Sequence, residues 1–96
     1  MDFKVLYTEP ALADLQDILA WSWERHPGTT EQFANALLNH VDFLAGFPNM
    51  GAPVDGHPGV RCLLHSPLQV FYRVHEGRRV IEVLHFWHGA RHGPKL

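Results

Sequence analysis

Three runs decide how this chain folds: Val60-Arg61-Cys62-Leu63-Leu64, then Leu68-Gln69-Val70-Phe71-Tyr72-Arg73-Val74, then Val80-Ile81-Glu82-Val83-Leu84-His85-Phe86-Trp87-His88-Gly89-Ala90-Arg91. Each is rich in β-branched and aromatic residues, which suit a pleated, half-buried surface. Ser66-Pro67 separates the first run from the second, and Glu76-Gly77-Arg78 is turn chemistry between the second and third. The reading is strand, strand, tight turn, strand, followed by a short basic tail. Arginines and histidines are set into these apolar runs. Charged side chains are seldom fully buried without a partner, so one polar, cationic face or rim is expected on the sheet.

Working outward, Phe3 to Tyr7 is a short strand. Pro10 fits the first turn of a helix, with Thr8 or Glu9 at the cap. Ala11, Leu15, Ile18 and Ser22 recur at helical spacing, with Leu12 and Leu19 as a second apolar contact. Asp14 and Asp17 lie off that face and read as solvated. His26-Pro27-Gly28 ends the helix. Thr29 or Thr30 caps a second helix with a stripe of Phe33, Leu37, Val41 and Leu44, widened by Ala36, His40, Phe43 and Phe47, and stopped by Pro48. A turn-rich connector, expected on the surface, reaches Gly59. The fold class is α+β: β-α-α-β-β-β, a helical hairpin packed on one face of a mainly antiparallel sheet. Residues 1–96 are read as one domain.

Composition narrows the function. At 96 residues and 46% apolar content the chain suits one modest core. It has no run of about 18 apolar residues and no signal-peptide layout at Met1-Asp2-Phe3-Lys4. Cys62, the lone cysteine, fits a buried thiol in a reducing cytoplasm. Residues 1–58 carry two basic and eight acidic side chains, a net −6; residues 59–96 carry six basic and two acidic, a net +4. Either the cationic half attracts an acidic partner or the two halves neutralise each other in the fold.

Alternation sets Val70, Tyr72 and Val74 against Gln69, Phe71, Arg73 and His75, and sets Glu82, Leu84, Phe86 and His88 against Val83, His85 and Trp87. One face should meet the helices. The other should be a mixed surface of rings, arginine and histidine, suited to phosphate, carboxylate or exposed bases. The structural alternative pairs Arg73 with Glu82 and places Trp87 in the core. Eight histidines invite a metal, but residues three apart on a strand face opposite sides, so His85 and His88 should not converge. No cysteine pair completes a zinc set, and no metal or cofactor is expected. His88, at a strand end beside Gly89 and Arg91, is either a general base or a hydrogen-bonded strand terminus. Phosphate-loop and nucleophile-elbow motifs are missing.

Taken in order, several pieces resemble the ParE/RelE superfamily of bacterial type II toxins. They are Ala11-x-x-Asp14-Leu15-x-x-Ile18, Leu44-x-x-x-Pro48-x-x-Gly51, Gly59-Val60-Arg61, Val70-Phe71-Tyr72-Arg73-Val74 and Trp87-His88-Gly89-Ala90-Arg91. The resemblance spans roughly Phe3 to Arg91. It implies the fold above and a cognate antitoxin protein that wraps and inhibits the toxin, with Arg73, Trp87, Phe43 and Phe47 as partner-binding candidates. ParE-like members poison DNA gyrase; RelE-like members cleave messenger RNA in the ribosome. Gln69 stands where a RelE-like arginine is expected, and the tail lacks the tyrosine of several ribonuclease members. These departures favour the ParE-like mode: a cytoplasmic growth inhibitor with no small-molecule substrate and no membrane partner. The alternatives are a ribonuclease, in which Arg61 and Arg91 hold phosphate and His88 moves protons, and a non-toxic module kept for antitoxin binding.

Overall fold

The computed structural model describes residues 2–88. Its elements are β1 (Lys4–Tyr7), α1 (Glu9–Arg25), α2 (Thr30–Asp42), a short 3-10 turn (Phe43–Ala45), β2 (Ala52–Pro53), β3 (Val60–His65), β4 (Leu68–His75) and β5 (Val80–His88). The five strands form one sheet in the order β1-β5-β4-β3-β2, antiparallel except where β1 runs parallel to β5. The helical hairpin and mainly antiparallel sheet match the sequence reading. The added element is β2, two residues of the connector paired with Arg61 and Cys62. So short a strand leaves no alternation to read, and Pro53 is tolerated because β2 is the sheet edge.

Helix α1 begins where Thr8 caps it: the Thr8 Oγ1 accepts from the Ala11 N–H at 3.2 Å and donates to the Val83 carbonyl at 2.9 Å. One side chain thus starts the helix and ties it to β5. At the other end, the Ser22 and Thr30 hydroxyls lie 2.9 Å apart and lock the two helices together. Thr29 takes the N-cap position of α2, but its hydroxyl turns back to the His26 carbonyl and makes no cap bond.

The α2 stripe behaves as its spacing predicts. Leu37, Val41 and Leu44 are fully buried against Leu63, Val70, Tyr72, Ile81, Val83 and Phe86, with Ala11 from α1. Burying each large side chain stabilises the fold by about 1.5–3 kcal/mol. Phe43 and Phe47 do not widen that stripe. They are 61% and 62% exposed, because α2 gives way to the 3-10 turn after Asp42 and the turn rotates them outward.

Simple alternation fails on β5. Phe71 pairs with His85 and Tyr72 with Val83, so Leu84 is an extra residue. This bulge shifts the side-chain parity by one, and both Val83 and Phe86 reach the core. They had been expected on opposite faces.

Candidate functional site

Two regions gather the residues that the sequence singles out. The first is a groove between α1 and the far end of β5. β1 pairs with β5 only as far as Tyr7 and Val83. Beyond that point the edge of β5 would be bare, and α1 lies along it. The Asp14 Oδ2 accepts from the Phe86 N–H at 3.2 Å and from the His85 Nδ1–H at 2.9 Å. A helix carboxylate therefore satisfies a strand donor that no neighbouring strand reaches, and it fixes the His85 tautomer. Asp14 is structural glue and not the solvated residue its position suggested. The signal was present: Ala11, Asp14 and Ile18 share one flank of the helix.

Further along, Asp17, Ile18 and Trp21 of α1, Phe33 of α2, and Phe86 and Trp87 of β5 enclose a cavity of about 450 Å³. That volume suits a small ligand or a few side chains of a partner. Its walls are apolar and its rim is acidic, through Asp14 and Asp17. One polar atom of its lining is unspent: among the described residues the Trp87 Nε1–H is buried and has no hydrogen-bond partner. An orphaned buried donor costs about 1–3 kcal/mol, so this atom calls for an acceptor from outside. Trp87 is neither a core residue nor an open platform; its ring is half-buried with the indole nitrogen turned inward. His88 also lines this cavity. Arg91 lies outside the described residues.

The second region is the connector corner. Tyr72, fully buried, donates from its hydroxyl to the Pro48 carbonyl at 2.8 Å and accepts from the Gly51 N–H at 2.9 Å. Arg61 donates from Nη1 to the Gly51 carbonyl at 2.7 Å and to the Asn49 carbonyl at 3.3 Å. Arg73 donates to the Pro58 carbonyl at 2.9 Å. Its register partner Glu82 accepts instead from His75 Nε2 at 3.1 Å, so the expected Arg73–Glu82 pair does not form. Both arginines thus bind backbone carbonyls of the connector. Tyr72 keeps its proton more firmly than a free tyrosine, chiefly because it is buried. Burial likewise raises the Cys62 thiol, which stays protonated near neutral pH on a half-buried strand position.

Arg61 and His88 sit in different regions, the connector corner and the groove, and Phe43, Phe47 and Met50 form a separate exposed apolar patch beyond α2. Among the described residues no three metal-ligating side chains come together. No helix there is long and apolar enough to cross a membrane.

Residues 5–93 match the family described as the ParE toxin of the type II toxin–antitoxin system parDE. The chain belongs to the ParE toxin family. No curated protein matches it in sequence. The ParE assignment agrees with the fold. A structure of the chromosomal ParDE toxin–antitoxin system from P. aeruginosa is similar with a TM-score of 0.77 and 23% identity, over 90% of this chain and 95% of that one. The RelBE2 toxin–antitoxin complex from Mycobacterium tuberculosis follows at 0.67 and 18%, over 92% and 99%. An E. coli RelE toxin mutant in the free state gives 0.64 and 19%, over 92% and 84%. At these identities the structures share the ParE fold with this chain. The family it belongs to is one of toxins of type II toxin–antitoxin systems.

Proposed function

We propose that this ParE-family toxin arrests growth by protein–protein contact with DNA gyrase and that a cognate antitoxin neutralises it. The observation that carries the reading is the use made of the cationic side chains. A ribonuclease needs guanidinium groups converging on a phosphate, beside a proton-transfer group. Here Arg61 donates to the connector carbonyls and Arg73 to Pro58, while His88 lies in the groove. Such a dispersed set favours contact over cleavage. The match of residues 5–93 to the ParE family supports the same side of the superfamily.

The antitoxin segment is assigned to the groove. An apolar stretch of partner chain fills the space between Trp21, Phe33 and Phe86, and one of its carbonyls accepts from the Trp87 Nε1–H. Phe43 and Phe47 offer the second apolar patch. On this reading residues 1–96 act as one toxin domain in the bacterial cytoplasm.

The test follows protein and DNA synthesis separately in the first minutes after the chain is induced without its partner. Early DNA arrest with translation continuing is the expected result. An early stop in translation would overturn the gyrase reading and return Arg61, His88 and Arg91 to ribonuclease roles. Arrest of neither by soluble protein would leave an antitoxin-binding module without toxicity.

A further inference from the structure

His40 on α2 and His65 at the end of β3 face each other, their Nδ1 atoms 2.8 Å apart and their ring centroids 5.0 Å apart. Two imidazole nitrogens at that distance hold one proton between them: one donates, the other accepts. The surroundings choose which. Phe33 packs its edge on His65 with centroids 6.0 Å apart, and the register partner of His65 on β4 is Leu68. His65 is held towards its neutral form by burial first and by the charge of His40 second. His65 is therefore the acceptor, with its own proton on Nε2, and His40 donates from Nδ1.

We infer that the His40–His65 pair is a proton-sensitive clasp between α2 and β3, closed by one shared proton and opened when a second proton takes the acceptor nitrogen. A proton added to His40 Nε2 leaves the bond intact. A proton on His65 Nδ1 removes the acceptor and sets two cations against each other. The groups around the pair leave this logic undisturbed. His40 is the titratable group facing His65 from α2. Leu63, Leu64 and Leu68 flank it on β3 and β4, and the 3-10 turn Phe43–Ala45 carries no titratable residue. Asp42, the nearest acid on α2, acts on Tyr7 instead.

The sign follows from proton counting. Below the ordinary histidine value of about 6.5 the unfolded chain protonates His65 while the folded chain resists. The contribution is complete above that pH and is lost as pH falls. His75 and His85 each stand against a carboxylate, Glu82 and Asp14 respectively. The clasp must therefore be isolated from the overall pH curve.

The experiment uses the full chain labelled with ¹⁵N-histidine. A scalar coupling between the two Nδ1 nuclei, transmitted through the hydrogen bond, is expected at about pH 7.5 and should vanish near pH 5. Denaturant titration of wild type and His65→Gln supplies the second reading. The glutamine oxygen accepts from His40 at either pH, so the variant should lack the wild-type excess loss, which reaches at most about thirtyfold in the folding equilibrium constant. Coupling that persists near pH 5, no coupling at about pH 7.5, or an equal acid loss in His65→Gln overturns the clasp. The coupling measurement needs no variant and decides the matter if the substitution fails to fold.

Discussion

Tyr72 and Trp87 stand on neighbouring strands, each an aromatic ring with one polar atom turned into the interior. They end in opposite states. The Tyr72 hydroxyl makes two bonds and fastens the connector at Pro48 and Gly51. Among the described residues the Trp87 Nε1–H makes none, on a ring that lines the groove. The same chemistry serves architecture where its bonds are spent at home, and recognition where they are not. Arg61 falls on the Tyr72 side of this divide, since its guanidinium is also committed to the connector.

The comparison breaks most sharply at Gly51. A Cβ there would meet the Cys62 carbonyl oxygen at 2.7 Å and the Tyr72 ring at 2.9 Å. Backbone cannot step aside as a side-chain tip can, so Gly51→Ala should cost about 3 kcal/mol, read as a lowered denaturant midpoint. Next comes Tyr72→Phe, which leaves the Pro48 carbonyl and the Gly51 N–H without their partner and should cost about 2 kcal/mol in the same assay. Trp87→Phe sharpens the contrast from the other side. Deleting an unpaired donor should leave stability within about 1 kcal/mol of wild type. It should also weaken antitoxin binding about tenfold by calorimetry, as loss of an interfacial anchor does. If Trp87→Phe were as damaging to the fold as Tyr72→Phe, the divide between the two regions would collapse. The smallest effect belongs to Gly77, where a Cβ meets nothing within 4 Å. Gly77→Ala should be neutral, or raise the midpoint by about 0.5 kcal/mol through a stiffer unfolded chain.

Legibility in the sequence follows the range of the forces involved. Leu37, Val41 and Leu44 could be read because helix period and burial obey one rule along one segment. The order of β3, β4 and β5 could be read because turn residues punctuate it. The facing of Val83 and Phe86 could not, since the bulge at Leu84 exists only in the pairing with β4. The candidate site divides in the same way. Trp87 stood out as an aromatic near a strand end, but its orphaned nitrogen depends on what surrounds it in space. Asp14 and His85 are 71 residues apart in the chain, and no local pattern announces their bond. The outward turn of Phe43 and Phe47 depends on where α2 stops, and helix ends are the least readable boundaries.

The carboxylate of Asp14 has a consequence for handling the protein. Beyond Val83, no strand among the described residues covers that side of β5, and Asp14 occupies the place where one would dock. An uncovered strand edge is a template for a second molecule of the same kind. Helix α1, fastened there by Asp14, covers the edge that would otherwise offer such a template. Asp14→Ala would strip that guard, so precipitation on concentration, and not unfolding alone, should mark the variant.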